Sequence, residues 1–239
     1  MTMPPSNDER PFIRLAGITK SYGRGEDRIP IFSGLSLKIP RGDFVAIMGP
    51  SGSGKSTLLN IFAALDGVEA GHVSIDGSNL SAMKEGARAR WRTETLGIVF
   101  QFYNLLPMLT AAENVELPLL LKPLTRRERR ERVATVLGLV GLGERARHYP
   151  REMSGGQQQR VGIARAIVTD PSLLLCDEPT GDLDRRSADE VLEMLGLLNR
   201  DLGKTIVMVT HDPAAAKAAK RTLHLDKGEF RTDDGAGDR

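Results

Sequence analysis

Three short stretches of this chain are apolar at every position and then stop abruptly. Phe44-Val45-Ala46-Ile47-Met48 gives way to Gly49-Pro50, Leu173–Cys176 to Asp177-Glu178, and Ile206–Val209 to Thr210-His211-Asp212. Apolar runs of this length predict strands buried on both faces, as in a parallel sheet covered by helices. The segments Phe12–Lys20 and Leu35–Ile39 alternate apolar and polar residues instead, which predicts half-buried antiparallel strands. Residues 223–230 read as a strand, a Gly228 turn and a short return strand. Between the buried strands, residues 83–156 are mainly helical in pattern. There Thr125-Arg126-Arg127-Glu128 offers a capping box for a helix running through Val133, Val136 and Leu137. The expectation is one α/β domain over 11–232, with flexible polar tails at 1–10 and 233–239. Residues 10–82 and 157–232 make a parallel-sheet core with an antiparallel β subdomain, and about 83–156 form an inserted helical subdomain. Three buried strands ending in polar loops put a ligand crevice at the carboxyl edge of the sheet.

Composition narrows the function classes. The 239 residues, 40% hydrophobic, suffice for a proper core. Thirty-three Lys and Arg against 31 Asp and Glu leave a net charge of +2, too balanced to argue for a nucleic-acid partner. The single cysteine, Cys176, excludes an intrachain disulfide and any four-cysteine zinc site. No apolar run approaches the roughly 20 residues of a membrane helix, and Met1–Pro11 does not resemble a signal peptide. The chain is therefore expected to be cytosolic by itself and to reach a membrane only through a partner.

The chemistry begins at Gly49-Pro50-Ser51-Gly52-Ser53-Gly54-Lys55-Ser56, which fits G-x-x-x-x-G-K-[ST] at every position, between a buried strand and an apolar helix. Glycines let backbone N–H groups turn inward around an anion, and the helix start adds its positive dipole end. Lys55 can reach the β- and γ-phosphates of a nucleotide, Ser56 can ligate Mg²⁺, and Thr57 can serve the α-phosphate. Asp177 and Glu178 follow the second buried strand. Neighbours on a strand point to opposite sides, so Asp177 is assigned to the Mg²⁺ shell and Glu178 to polarising a water as general base. Alone, the pair could equally be two solvated loop acids. Ser154-Gly155-Gly156-Gln157 opens a further apolar-periodic helix, and reads either as a second anion site or as an ordinary serine N-cap with a glycine hinge.

Taken together and in this order, Gly49–Ser56, Gln101, Ser154–Gln157, Leu173–Glu178, Gly181–Asp184 and His211 resemble the ATP-binding cassette (ABC) ATPases from Tyr22 to about Phe230. The resemblance implies the RecA-like fold of phosphate-loop NTPases, with ATP and Mg²⁺ as cofactors. It implies that Tyr22 stacks on adenine and that Gln101 reaches Mg²⁺ and the attacking water. By the same resemblance, Ser154, Gly155, Gly156 and Gln157 contact the γ-phosphate held by a second copy, Asp182 and Asp184 cross the dimer interface, and His211 orients the water. The departures, Met153, Asp182 and Cys176, touch no group that handles phosphate. His72, His148 and His224 are taken as structural, and the run Arg126–Arg132 as a solvated helix face.

Within the family, the segments 100–107 and 112–118 resemble the lipoprotein-releasing and macrolide-export subgroup. That implies a motor subunit working with separate transmembrane permease subunits, received near the Gln101 loop and the leucine-rich stretch Leu105–Leu121. The implied location is peripheral, on the cytoplasmic face of the membrane, with export or extraction of a lipophilic or peptide-like substrate. A cassette that passes force to a membrane complex without moving a substrate is the alternative. A soluble cassette acting on DNA or ribosomes is disfavoured by the balanced charge and the lack of paired cassettes or long inserts.

Overall fold

The computed structural model describes residues 11–23 and 27–231. The tails expected to be polar and flexible lie outside these residues. Two sheets organise the chain. The first is antiparallel, in the order β2-β1-β4-β5, built from β1 (Ile13–Tyr22), β2 (Ile29–Ile39), β4 (Ala70–Ile75) and β5 (Ser78–Asn79). The second has the order β10-β9-β3-β8-β7-β6 and contains β3 (Phe44–Met48), β6 (Leu96–Val99), β7 (Leu173–Asp177), β8 (Thr205–Val209), β9 (Arg221–Asp226) and β10 (Glu229–Arg231). Its strands are parallel except for the β9–β10 hairpin.

The three fully apolar runs are the central strands of this second sheet, and their alternate residues face two different cores. Val45, Ile47, Leu173, Leu175, Val207 and Val209 point into one cluster with the antiparallel sheet and helix α1 (Lys55–Phe62). Phe44, Ala46, Leu174, Cys176, Ile206 and Met208 point into the other. That second core is closed by α3 (Ala111–Glu116), α4 (Arg126–Leu139), α5 (Gly155–Ile167) and α6 (Arg185–Arg200). A strand packed on both sides cannot carry a polar residue without burying it unpaired, hence the unbroken apolar runs.

The stretch expected to be a helical body from residue 83 begins differently. After α2 (Glu85–Thr95), whose Trp91 joins the first core, β6 pairs in parallel with β7 at the sheet edge. Only the chain beyond Gln101 leaves the sheet, and α3 and α4 pack against each other and against α5. Leu96–Val99 was inconspicuous because Gly97 interrupts its apolar run. A Cβ at Gly97 would come 2.2 Å from the Ala166 carbonyl oxygen, so only glycine lets α5 lie this close. The capping box at Thr125 forms as expected, with the Thr125 hydroxyl accepting from Glu128 N–H and the Glu128 carboxylate accepting from Thr125 N–H. The Arg126–Arg132 run is exposed apart from half-buried Arg129, which pairs with Glu116, and carries the i,i+4 pair Arg127–Glu131.

Candidate functional site

Register places the chemistry. Val99, Cys176, Met208 and Ala46 form one row across β6, β7, β8 and β3. Within three residues beyond that row each strand delivers at least one candidate: Gln101 after β6, Asp177 and Glu178 after β7, His211 after β8, and Gly49 after β3. Parallel pairing aligns the strand ends, so residues far apart in sequence converge at the carboxyl edge.

The phosphate loop Gly49–Ser56 leads into α1 through Gly54, at φ +102°. No side chain caps α1, so the first N–H groups of the helix face the loop. A Cβ on Gly54 would also approach the Phe32 ring at 2.9 Å. The Lys55 ammonium donates to the carbonyls of Gly49 (2.7 Å) and Pro50 (2.8 Å), which holds a cation across the mouth of the loop. Ser53 Oγ is buried and has no hydrogen-bond partner. Helix α1 packs on β7, and the Lys55 charge reaches Asp177. Uncapped helix-start N–H groups, a cation and an orphaned hydroxyl are a donor set that fits a polyphosphate. The carboxylate of Asp177 and the hydroxyl of Ser56 are hard oxygen donors suited to Mg²⁺.

Burial first, and then the charge of Glu178, raise the Asp177 carboxyl above the ordinary carboxylate range, against the opposing pull of Lys55. A site that disfavours its own negative charge gains from a divalent cation. Glu178 is not extended: its φ is +46°, a left-handed conformation costing an unbranched residue roughly 1–3 kcal/mol. Strand β7 ends at Asp177 and the chain turns at Glu178, so the strand-alternation argument does not reach that residue. His211 Nδ1 lies 2.9 Å from Glu178 Oε2, and the Glu178 N–H donates to the Val209 carbonyl. Gln101 lies against Gly181, where a Cβ would sit 3.0 Å from Gln101 Nε2. Cys176, fully buried, has its thiol pushed far up by burial and is inert.

Tyr22 ends β1 and remains 42% exposed. Its hydroxyl donates to Asp66 Oδ2 at 2.6 Å, and the Lys20 ammonium lies 4.8 Å from its ring centroid. Lys20 in turn bonds Asp66 Oδ1 at 2.6 Å. Burial works against the Asp66 charge, but Lys20 and Tyr22 together hold its carboxyl below the usual range. Lys20 and Asp66 escaped the sequence reading because they are 46 positions apart.

Ser154–Gln157 stands elsewhere. Ser154 Oγ accepts from Gln157 N–H and Gln157 Oε1 accepts from Ser154 N–H, so the start of α5 caps itself. A Cβ on Gly155 would lie 2.8 Å from Tyr103 Oη, and one on Gly156 would lie 2.6 Å from Ser187 Oγ. Tyr103 also reaches toward the Asp182 carbonyl. Asp184 caps α6, accepting from the Ser187 N–H and hydroxyl, which lowers its carboxyl. A hollow of about 710 Å³ lined by Leu139, Leu198 and Lys204 lies at the amino ends of β7 and β8, away from this chemistry. The described residues contain no helix long and apolar enough to cross a membrane.

Comparison with known proteins agrees with this geometry. Residues 32–181 match the ABC transporter family. The chain is 44% identical to the lipoprotein-releasing system ATP-binding protein LolD of Bordetella pertussis, over 98% of this chain and 100% of that protein. It is 46% identical to the ABC transporter ATP-binding protein YvrO of Bacillus subtilis, covering 93% and 96%. It is also 49% identical to the macrolide export ATP-binding/permease protein MacB of Marinobacter nauticus, but spans only 35% of that protein's length. Among solved structures, a dimeric ATP-binding cassette in a post-hydrolysis state with ADP and phosphate superposes with a TM-score of 0.84. It shares 42% identity, with 92% of this chain and 97% of that chain covered. A strand-end row carrying a phosphate loop, two acids and a histidine, set beside these relatives, shows that the chain belongs to the ABC transporter family, as a nucleotide-binding ATPase subunit.

Proposed function

We propose that this chain is an ATP-hydrolysing motor that closes head to tail with a second copy around two Mg-ATP and drives separate membrane subunits. The observation that carries the reading is the single row of strand ends presenting Gly49, Asp177, Glu178, His211 and Gln101 together. In this reading the phosphate loop and Lys55 hold the triphosphate, and Tyr22 offers its exposed ring to adenine. Mg²⁺, held by Ser56, Asp177 and Gln101, would neutralise charge on the β- and γ-phosphates. Glu178 draws the proton from the attacking water, while His211, 2.9 Å from Glu178, orients it.

Ser154–Gln157 supplies the missing contact to the nucleotide of the second copy, and Asp182 and Asp184 lie between the two. The immediate neighbours of Gly155 and Gly156 are Tyr103, Leu183 and Ser187, with no phosphate-loop residue among them, which supports a role in trans. Such an interface is isologous, with each copy giving a loop and a signature.

Around the Gln101 loop, Phe102, Met108, Leu120 and Leu121 are all more than half exposed. Of these, Leu121 lines a hollow of about 250 Å³ together with Leu96, Ile98, Pro118 and Arg165. Isolated exposed apolar side chains are ordinary; four between Gln101 and Leu121, one of them lining a hollow, suit an apolar segment of a membrane partner. The relatives named for lipoprotein release and macrolide export favour outward movement of a lipophilic or peptide-like substrate, from the cytoplasmic face.

Replacing Glu178 with Gln tests the reading. ATP binding should persist, turnover should fall by about 100-fold or more, and a nucleotide-dependent dimer should accumulate on size exclusion. Wild-type turnover in that variant would overturn it.

A further inference from the structure

Gln159 lies on α5, two residues past the signature, and none of its surface reaches solvent. Its Nε2 donates twice, to the Phe100 carbonyl at 3.1 Å and to the Pro179 carbonyl at 2.6 Å. These carbonyls belong to the residue just before Gln101 and the residue just after Glu178. The other end of the amide, Oε1, is buried without a partner. Packing alone does not account for such a side chain, since an apolar one of similar size would leave no orphaned oxygen of its own. The use of both amide hydrogens on these two carbonyls does account for it.

The rest of α5 reinforces the tie. Arg165 donates to the carbonyls of Asn104 (2.5 Å) and Tyr103 (2.8 Å), both of which have left-handed backbones. The Gln101 loop is thus bound to α5 on both sides of Gln101. Glu178, with φ +46°, is also a residue whose conformation depends on what surrounds it.

We infer that Gln159 is a positioning residue that sets Gln101 and Glu178 from the helix carrying Ser154–Gln157. It couples hydrolysis at a copy's own site to that copy's contact with its partner's nucleotide. The inference rests on the sandwich reading above. A continuous helix transmits a tilt of its first turn to its second with little loss, and one amide then hands it to both strand ends.

The test uses the full-length chain with Gln159→Met, which keeps the bulk and removes both donors. Affinity for a non-hydrolysable ATP analogue should stay within about twofold, because Lys55 and Tyr22 are untouched. The kcat should fall roughly tenfold to 100-fold, and the Hill coefficient for ATP should drop toward 1. A variant that loses thermal stability while keeping wild-type kcat and Hill coefficient would show a core role only and overturn the inference. If Q159M does not fold, Gln159→Asn, which keeps the amide but withdraws it by one methylene, is judged by the same readouts. Failure of both to fold also assigns the residue to the core. The two readings fail separately: turnover in Glu178→Gln sinks the motor reading, whereas normal cooperative hydrolysis in the Gln159 variants sinks only this inference.

Discussion

Helices α1 and α5 both start on glycine-rich turns, but only α5 caps itself. At α1 the N-cap is Gly54, which has no side chain to offer, and the loop before it holds a buried hydroxyl, Ser53 Oγ, without a partner. At α5, Ser154 and Gln157 satisfy each other's backbone N–H groups. One helix start is left incomplete by its own chain, and an anion completes it. The other is already stable and keeps in reserve the Ser154 hydroxyl proton and the first N–H groups of the helix. On the proposed reading, the contrast suits a loop that binds nucleotide by itself and a signature that engages and releases the nucleotide of a second copy.

The largest break in this comparison is at the loop. Lys55→Ala removes the side-chain cation that donates to the Gly49 and Pro50 carbonyls, and ATP affinity measured by titration calorimetry should weaken by about 100-fold, or ~2.7 kcal/mol. An unchanged Kd would mean that α1 alone supplies the anion site. Ser154→Ala sharpens the contrast from the other side. Loss of the cap should cost about 1 kcal/mol, a Tm lower by about 2–4 °C. Turnover should drop about tenfold or more while the Kd of the isolated chain for ATP holds. If the Kd rose as far as in Lys55→Ala, the two helix starts would not differ in role.

The smallest effect is a pH dependence at Asp177. Its carboxyl is raised in the folded chain by burial and by Glu178, so the folded state binds a proton more readily than the unfolded one. The ionised form therefore costs stability at neutral pH, and acidification through the raised pKa recovers it. Without nucleotide or metal, Asp177→Asn should melt above wild type at neutral pH. That gap should narrow as the pH falls toward the carboxylate range. A gap that stays constant with pH would remove the charge from the explanation.

Much of the site was legible because its signals are local. A phosphate loop is eight consecutive residues, a capping box is four, and a strand buried on both faces shows as an unbroken apolar run. Asp184 as the cap of α6 and Thr125 as the cap of α4 could be read in the same way. Gln159 could not, because a glutamine inside Gln157-Gln158-Gln159 carries no mark of which one turns inward. Nor could β6, whose Gly97 weakens the apolar signal and is explained only by the approach of α5. Lys20 over the Tyr22 ring depends on Asp66, which arrives from beyond α1.

The residue order alone settled most of the elements, though not β6, and also where the polyphosphate-binding loop lies and which family the motifs resemble. These follow from backbone propensities and periodicities that act over a few residues. Tertiary structure decided which strand ends share a row, that Glu178 turns left-handed into His211, and that one buried amide ties Gln101 and Glu178 to the signature helix. Those outcomes depend on packing and register among segments far apart in sequence, where the energy belongs to the contact and not to either partner alone.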